Sequence, residues 1–470
     1  MTAIWWIRRD LRLADNQALT GAMEYGGQII PLFILDPGLL GSAYMGEKRL
    51  AFLLEGLFSL HEELQTRGSR LVVRTGRPAD VLAQILAESQ ATALFAERDH
   101  TPYAQARDAR IAEQFPLHLV DGQTALPPGA VSKADGGPYT VFTPFKRRWL
   151  SRQPSHAPLP APEHILTPDG IASQNFPHFI PSPLFPGGEA EAMERLQRFI
   201  GLGDGAIFDY ANQRDRPDLN GTSQLSPYLR FGMLSARQAL AAAAQAGTVA
   251  SSSEDRKGVE VWTSELIWRE FYVNILHHFP QARTAPFRQE YAEIRWRNDP
   301  DDFAAWCAGQ TGYPFVDAAM RQLATIGWMH NRARMVVASF LVKHLLVDWR
   351  WGERFFMQHL LDGDPAANNG GWQWVAGTGT DAAPYFRVFN PITQSRKFDP
   401  DGAYIRRWLP EMAHLPREAI HTPWEFSTAE QAQWGCRIGV DYPAPIIDHT
   451  FARNRVLETY KAALDAAKIN

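Results

Sequence analysis

The stretch Ala3-Ile4-Trp5-Trp6-Ile7-Arg8-Arg9-Asp10-Leu11-Arg12 opens the chain with an apolar run that ends in a cluster of charges. The apolar run is typical of a buried strand, and similar runs at residues 28–35, 70–74, 92–96 and 117–120 alternate with stretches of helical periodicity. This alternation predicts parallel βαβ units in a doubly wound, Rossmann-like sheet. No Gly-x-Gly-x-x-Gly follows the first strand, so the usual dinucleotide-binding fingerprint is missing.

The rest of the chain has a different organisation. Residues 154–188 hold nine of the 33 prolines and few periodic segments, which predicts an extended connector. From about residue 190 the pattern is helical almost throughout, and twelve of the 15 tryptophans lie between Trp262 and Trp434. We therefore predict an α/β domain over residues 1–130, a connector over 131–195 and a mostly α-helical domain over 196–470.

The composition is that of an ordinary globular protein, with 470 residues, 45% hydrophobic and 21% charged. The net charge of −4 means that any binding of nucleic acid must come from a local basic patch. Cys307 and Cys436 have neither metal-ligand spacing nor a disulfide pattern, which favours a reducing cytoplasm. The N-terminus does not resemble a signal peptide and no run reaches about 18 apolar residues, so we expect no membrane span.

The segment Asp362-Gly-Asp-Pro-Ala-Ala-Asn-Asn-Gly-Gly-Trp-Gln-Trp374 combines acids, carboxamides, glycines and indoles. One interpretation is a loop between two helices, because Asp-Gly and Asn-Gly are turn signals. The other is a site for a flat aromatic cofactor that approaches the backbone closely at Gly370-Gly371. Asp362 and Asp364 could also hold Mg²⁺, but no phosphate-handling residues accompany them.

The segment Thr222-Ser223-Gln224-Leu225-Ser226 precedes a predicted helix. Its hydroxyls suit either a plain helix cap or the binding of a phosphate at the helix N-terminus.

Glu265, Trp268, Arg269 and Tyr272 fall at helical spacing and share one face. This face suits a pocket wall that stacks a ring and hydrogen-bonds its edge. The alternative is a structural ion pair with partly exposed aromatic rings.

A third motif, Gly327-Trp-Met-His-Asn-Arg-Ala-Arg-Met335, precedes the apolar run 336–342. Asn331, Arg334 and Met335 share a face of a predicted buried helix, where polar groups need partners and a ligand could supply them. A single histidine such as His330 is more often structural than catalytic.

Several cations flank these motifs. A cationic rim around an aromatic pocket could bind a nucleic-acid strand with one base flipped out of the stack. Alternatively, these cations are ordinary solvated charges of the protein surface. The cations are Arg214, Arg216, Arg332, Arg387, Arg396, Lys397, Arg406 and Arg407.

Taken together and in this order, the motifs resemble the photolyase/cryptochrome flavoproteins, most closely the class I cyclobutane pyrimidine dimer photolyases. The resemblance covers essentially the whole chain. It implies an N-terminal α/β domain, a connector and a helical FAD domain. It also implies that excited reduced FAD transfers an electron to a pyrimidine dimer flipped out of DNA, which then splits. The matching stretches are Trp6-Ile-Arg-Arg-Asp-Leu-Arg12, Thr311-Gly-Tyr-Pro-Phe-Val-Asp-Ala-Ala-Met-Arg321, Gly327-Trp-Met-His-Asn-Arg332 and Ala367-Asn-Asn-Gly-Gly-Trp-Gln-Trp374.

The resemblance implies roles for cofactor-binding residues. Asp362 and Arg334 match the pair beside the isoalloxazine, and Asp364 matches the residue at its polar edge. Asn368 matches the residue at flavin N5, where a carboxamide can accept from N5–H or donate to N5. The remaining FAD contacts are Tyr210, Thr222, Ser223, Gln224, Leu225, Ser226 and Trp262, with the hydroxyls on the pyrophosphate.

The resemblance also implies substrate and electron-transfer residues. Glu265 matches the carboxyl that hydrogen-bonds the thymine carbonyls and stabilises the dimer radical anion, and Asn331 bonds the same substrate. Trp268 and Trp374 match aromatic walls, with Met335 as a soft filler. Arg269 shares the substrate-facing helix face, and Arg214, Arg332 and Arg387 match DNA-phosphate positions. The electron chain that reduces the flavin matches Trp372 nearest FAD, Trp349 in the middle and Trp296 at the surface.

Some positions depart from the family pattern. Gln224 stands where relatives often carry Arg or Gly, and Pro365 replaces a common Leu. Folate-binding relatives have an Asn-Glu pair where this chain has Arg98-Asp99-His100-Thr-Pro-Tyr103. We therefore expect 8-hydroxy-5-deazaflavin or a similar antenna chromophore in preference to methenyltetrahydrofolate.

The expected partner is UV-damaged DNA, single- or double-stranded, bound by a monomer in a bacterial-type cytoplasm. A signalling cryptochrome is disfavoured by Asn368 and by the expectation of no long tail after residues 454–467. Repair of (6-4) photoproducts is disfavoured because Asn331 follows the single His330. An electron-transfer flavoprotein without a DNA role is disfavoured by the cationic rim.

Overall fold

The computed structural model describes residues 1–152, 157–201 and 204–468, so Pro154 of the predicted connector and Asn470 at the chain end lie outside the described residues. The chain forms two compact units. The first comprises Met1–Ala211, Thr222–Pro280 and Leu361–Ala366, and the second comprises Asn212–Gly221, Gln281–Leu360 and Ala367–Asn470. The predicted domain boundaries at residues 130 and 195 stay predictions.

The first unit contains a parallel five-stranded sheet of order β3-β2-β1-β4-β5. The chain reverses its direction of travel across the sheet between β1 and β4, so their carboxyl ends flank a crevice of the kind where α/β proteins bind ligands. The doubly wound α/β prediction is confirmed. The strands are β1 (Thr2–Ile7), β2 (Gln28–Leu35), β3 (Val72–Thr75), β4 (Ala93–Glu97) and β5 (Leu117–Val120).

Helices cover the sheet and continue beyond it within the first unit. Several begin at a capping side chain, as where Asn16 accepts from the backbone N–H of Leu19. The helices are α1 (Gln17–Tyr25), α2 (Pro37–Leu40), α3 (Glu47–Gln65), α4 (Pro78–Ser89), α5 (Pro102–Ala112), α6 (Phe142–Leu150), α7 (Glu189–Ile200), α8 (Tyr210–Gln213), α9 (Ser226–Phe231), α10 (Ala236–Val249) and α11 (Ser253–His278).

The second unit is helical over its described residues, as predicted. Its core is rich in aromatic rings and includes the buried Trp306, Trp349 and Trp372. Helix α14 continues into a π-helical turn, Phe340–His344. The helices are α12 (Pro300–Ala308), α13 (Pro314–Ile326), α14 (Asn331–Ser339), α15 (Trp349–His359), α16 (Pro365–Ala376), α17 (Pro391–Phe398), α18 (Ala403–Trp408), α19 (Thr428–Gln433) and α20 (His449–Ala467).

The interpretation of residues 362–374 as a loop is wrong, because α16 begins at Pro365 and Gly370-Gly371 lies inside it. Pro365 occupies the first helical position, where proline is well tolerated. Gln373 then holds the helix in place, because its side-chain nitrogen donates to the carbonyls of Ala282 (2.8 Å) and Ala285 (3.2 Å). Tertiary contacts therefore override the local turn signals.

Within the described residues, no helix combines the length and the apolar character that a bilayer crossing requires.

Gly232 provides a test of the packing inside the first unit. It adopts φ +67°, and a Cβ there would collide with the Arg9 backbone carbonyl. Gly232→Ala should lower the free energy of unfolding by about 3 kcal/mol, from left-handed strain plus overpacking. The measurement is the midpoint of urea unfolding.

Gly136→Ala is the matched control, because Gly136 also has positive φ (+82°) but nothing lies near its Cβ position. It should lose only about 1 kcal/mol from left-handed strain. Equal losses in the two variants would contradict the packing argument.

Candidate functional site

Asp364, which precedes α16, is held by an ion pair in the first unit. Arg9 Nη2 contacts its Oδ2 at 2.5 Å, and both side chains are nearly buried. Its Oδ1 accepts from the backbone N–H of Ala366 at 2.9 Å and so caps the helix. The same Arg9 lies 3.5 Å from Asp99 at the end of β4. Burial alone would raise the pKa of Asp99, but Arg9 above all lowers it to about 2.

Arg230 is a second cation beside this acidic segment, and the sequence motifs did not identify it. Its Nε donates to the Gly363 carbonyl at 2.8 Å, and its Nη1 is buried without a hydrogen-bond partner among the described residues. Burial, followed by the charge of Arg9, lowers the pKa of Arg230 to about 9. Its place on α9, four residues after Ser226, is the only sequence signal that could have marked it. A buried unsatisfied N–H fits an acceptor on a ligand.

The hydroxyl segment leads into α9, which begins at Ser226. Gln224 adopts φ 51°, in the left-handed region that favours glycine.

Two predicted cofactor residues lie on either side of one ring in the first unit. Phe199 contacts Tyr210 (ring centroids 5.9 Å apart) and Trp262 (5.1 Å).

Helix α11 carries the predicted face of Glu265, Trp268, Arg269 and Tyr272. Trp268 stacks on Phe142, with ring centroids 3.6 Å apart and planes at 9°, so a ligand could use only its other face. Glu265 is half-buried.

Arg269 bonds to backbone carbonyls of the first unit. Its Nη1 donates to the Gln123 carbonyl at 3.0 Å and its Nη2 to the Leu229 carbonyl at 3.2 Å. These bonds fix the guanidinium within the first unit, and spacing alone does not reveal such long-range carbonyl acceptors. The contact of Arg269 with the substrate stays a prediction.

In the second unit, Asn368 is oriented by Glu353, a residue that sequence reasoning missed. Asn368 Nδ2 donates to the Glu353 carbonyl (3.0 Å) and to its Oε1 (3.1 Å). Glu353 is buried and paired with Arg283 at 3.2 Å. Burial raises the pKa of Glu353, and Arg283 opposes that shift. No described residue donates to Asn368 Oδ1, so the carbonyl end of the amide can accept from a ligand.

Gly371 supports the same side of α16 as a ligand surface. No heavy atom lies within 4 Å of the position that its Cβ would occupy, leaving open space beside the helix. Glycine inside a helix costs about 1 kcal/mol relative to alanine. The open space leaves room for a flat ring to approach the backbone, and together with the open acceptor on Asn368 it fits a flavin.

His330 has the structural role expected of a single histidine. Its Nδ1 accepts from the backbone N–H of Arg332 at 3.1 Å and caps α14. Burial lowers its pKa to about 4, so it is neutral near pH 7. Asn331 is exposed and Met335 half-buried on one helix face, as predicted, with Asn331 Nδ2 at 3.9 Å from the Met335 sulfur.

The predicted cations of the second unit have different environments. Arg332 forms an ion pair with Asp215 (2.8 Å) and lies over the Phe398 ring. Arg334 is half-buried and donates to the Met329 carbonyl.

The other cations include exposed side chains and side chains bonded within the protein. Arg387 is exposed beside Phe389, Arg214 is half-buried, Arg216 pairs with Asp218, Arg396 donates to Thr422, Lys397 lies over Phe398, Arg406 donates to the carbonyls of Asp401 and Leu415, and Arg407 is exposed.

The three tryptophans of the predicted electron chain differ in exposure, and their roles in electron transfer stay predictions. Trp372 and Trp349 are buried in one core cluster, while Trp296 is only partly buried and packs against it. Trp374 is half-buried beside the same cluster.

The metal interpretation of Asp362 and Asp364 gains no support, because Asp364 pairs with Arg9. Among the described residues, no group of three histidine, cysteine or acidic side chains could hold a metal ion.

Two family models match the chain. One is described as the FAD binding domain of DNA photolyase and matches residues 262–462, and the other, described as DNA photolyase, matches residues 3–163. Two similar proteins named deoxyribodipyrimidine photo-lyase come from Synechococcus sp. and Escherichia coli. The Synechococcus protein is 42% identical, and the match covers 98% of this chain and 97% of that protein. The Escherichia coli protein is 40% identical, and the match covers 98% of this chain and 99% of that protein.

Solved structures are similar over nearly the full chain. A class III photolyase from Agrobacterium tumefaciens superposes with a TM-score of 0.92 at 37% identity, covering 98% of this chain and 97% of its own. A cryptochrome from Synechocystis sp. gives 0.89 at 32% identity, covering 97% and 99%. Because both a photolyase and a cryptochrome share this fold, side chains must distinguish repair from signalling.

The Glu353–Asn368 contact predicts an effect on the flavin. Glu353→Ala should remove one of the two acceptors of the Asn368 nitrogen and leave only the backbone carbonyl of residue 353. The amide should then turn more easily, so that its nitrogen can replace its oxygen beside the proposed N5–H of reduced flavin. We expect the reduced form to be less stable and the midpoint potential to fall. Glu353→Gln keeps an acceptor oxygen and should shift the potential less. The measurement is a spectroelectrochemical titration.

The control is Glu290→Ala, which removes an acid from the exposed pair with Arg288. It should leave the potential at the wild-type value. If Glu353→Ala also retains the wild-type potential, the proposed positioning role is wrong.

Proposed function

Because this chain belongs to the DNA photolyase family, we propose that it splits cyclobutane pyrimidine dimers in DNA in a light-driven reaction that uses FAD. The observation that carries this proposal is the match of about 40% identity to proteins named deoxyribodipyrimidine photo-lyase, over nearly their whole length. The side chain of Asn368 also supports this proposal, because its carbonyl oxygen is open to accept a hydrogen bond from the flavin.

Reduced FAD, when bound, supplies the electron that light excitation makes available to the substrate. The hydroxyls of Thr222, Ser223 and Ser226 hold the pyrophosphate. Asn368 would accept from the N5–H of the reduced flavin through Oδ1, because Glu353 engages its nitrogen. A carboxamide does not titrate near neutral pH, so Asn368 holds this hydrogen bond without exchanging a proton.

Other cofactor contacts follow the family positions. Asp362 and Arg334 would bind beside the isoalloxazine, and Asp364 would bind at its polar edge. Tyr210, Gln224, Leu225 and Trp262 complete the set, and the rings of Tyr210 and Trp262 are fixed through Phe199.

The lesion is held by a mixed polar and aromatic surface. Glu265 bonds the thymine carbonyls, and it must carry a proton to donate to them, because an ionised carboxylate only accepts. Asn331 bonds the same pyrimidine dimer, and Met335 fills the space next to it. Trp268 offers the ring face that Phe142 does not cover, and Trp374 forms the second wall.

DNA phosphates bind to cations on the second unit. Arg387 is exposed and, among the described residues, has no ion pair to exchange for a phosphate. Arg332 must exchange its ion pair with Asp215 for a phosphate. Arg214 is the third phosphate contact. We propose a monomer acting on single- or double-stranded DNA in the cytoplasm, where the free thiols of Cys307 and Cys436 are stable.

We propose 8-hydroxy-5-deazaflavin, in preference to methenyltetrahydrofolate, as an antenna near residues 98–103. This segment follows β4 at the crevice beside β1, where α/β sheets bind ligands. Tyr103 donates to Asp36 at 2.6 Å and is half exposed, which leaves a ring surface for a chromophore.

The direct test is light-dependent repair of an oligonucleotide with one defined thymine dimer, with a (6-4) photoproduct as the second substrate. We expect repair of the dimer alone, only in light and only with reduced flavin. Glu265→Ala should retain FAD but lower the repair quantum yield. Glu265→Gln should retain part of the yield, because an amide still donates to a carbonyl.

Glu260→Ala is a control on the same helix, because Glu260 is an exposed acid paired with Lys146 and Lys257. It should repair at the wild-type yield. Absence of dimer repair by the reduced wild-type protein in light would overturn the proposed function, and binding of damaged DNA without repair would favour a photoreceptor.

A further inference from the structure

The indole of Trp268 is held on one side by aromatic rings of the first unit. Phe142, at the start of α6, stacks on one face of it with the ring planes at 9°. Their centroids are 3.6 Å apart, closer than aromatic pairs usually lie. Phe271 meets the same indole edge to face at 5.5 Å. Trp268 nevertheless stays half-buried, so part of the indole remains accessible.

Helix α6 is attached to α11 by a buried carboxylate. Glu270, two residues after Trp268, accepts from Trp149 Nε1 at 2.6 Å. Its carboxylate also accepts from the backbone N–H groups of Ala125 and Leu126. A buried carboxylate needs such donors, because burying a charge without partners is costly. These bonds therefore fix where α6 lies along α11.

The buried face of α6 carries the contact with the indole. Phe142, Phe145 and Trp149 are its buried residues, and they fall at i, i+3 and i+7. Phe145 packs on Phe271, with ring centroids 5.2 Å apart, whereas Phe142 stacks on Trp268. The attachment of α6 to α11 thus holds the ring of Phe142 against the indole.

From this geometry we propose that Phe142 is a positioning residue that sets the selectivity for a pyrimidine dimer over undamaged DNA. The proposal rests on the proposed function, in which Trp268 is one wall of the lesion site. Phe142 covers the far face of that wall, so it contacts the indole and not the lesion. It acts by holding Trp268 in one orientation before the lesion binds.

A wall that is already fixed binds a rigid lesion more tightly than a mobile wall does. An indole that turns freely loses rotamer freedom when the lesion binds, and this loss weakens the affinity. With Phe142 stacked on it, Trp268 loses this freedom during folding. The gain is confined to DNA with a flipped-out dimer, because undamaged DNA keeps its bases stacked and binds through its phosphates.

The test compares FAD-loaded full chains of wild type and Phe142→Leu. Affinity is measured for a duplex oligonucleotide with one thymine dimer and for the same duplex without it. The ratio of the two affinities should fall by about threefold to tenfold, the effect of freeing one side chain, while binding of undamaged DNA stays unchanged. Phe142→Met, which fills similar space without a ring, should lower the ratio in the same way. Phe142→Tyr keeps the ring and should retain the wild-type ratio.

Phe145→Leu is the matched control, because Phe145 is a buried ring on the same helix that packs on Phe271. It should lower the stability of the protein but leave the affinity ratio at the wild-type value. In the Trp268→Ala protein, adding Phe142→Leu should cause no further loss of selectivity, because the two side chains act as one unit. Equal losses of selectivity in Phe142→Leu and Phe145→Leu would overturn the proposal.

A second measurement needs no DNA. In protein labelled with 5-fluorotryptophan, the resonance of Trp268 is identified by its absence from Trp268→Phe. Phe142→Leu should shift this resonance, because it removes the ring current of the stacked phenyl, and Phe145→Leu should leave it in place. An unchanged resonance in Phe142→Leu would contradict the positioning role. Absence of any preference for the dimer in wild type would overturn the proposed function, whereas a preference that Phe142→Leu retains in full would overturn the role of Phe142 alone.

Discussion

The contact between Arg9 and Asp364 is the constraint on which the account of the cofactor site depends. One carboxylate oxygen pairs with the guanidinium at 2.5 Å, and the other accepts from the N–H of Ala366. The same side chain therefore anchors the acidic segment within the first unit and defines where α16 begins. Removing one partner of such a buried pair costs about 3–5 kcal/mol, because a charge is left uncompensated.

Helix α16 carries several of the functional groups on one rigid element. Within the second unit, the helix brings Asn368 to Glu353, Gln373 to the carbonyls of Ala282 and Ala285, and Trp372 into the aromatic core. Light-driven electron transfer needs rings and hydrogen-bond donors at fixed distances, so a rigid helix suits it better than a loop.

The hydrophobic periodicity of the sequence was sufficient to predict the sheet, since Gln28–Leu35 and Leu117–Val120 are strands as predicted. Periodicity and turn signals did not predict α16. Asn-Gly and Gly-Gly indicate a turn from local sequence alone, whereas the buried hydrogen bonds of Gln373 that stabilise the helix reach residues far away in the sequence. The same limit explains three features that the sequence motifs did not reveal. Glu353 and Arg230 have no local motif, and the carbonyl partners of Arg269 come from distant segments. Family resemblance supplied residue roles that composition and spacing could not provide.

The most direct test of this account is the FAD affinity of the cofactor-free protein carrying changes at Asp364. Asp364→Asn keeps an oxygen for the helix cap but loses the charge opposite Arg9, and Asp364→Ala loses both. We expect FAD binding to weaken by about tenfold or more, equivalent to about 1.4 kcal/mol, in the order wild type, Asn, Ala. Asp401→Asn, in an exposed pair with Arg417, should bind like wild type. Wild-type affinity in both Asp364 variants would contradict the account.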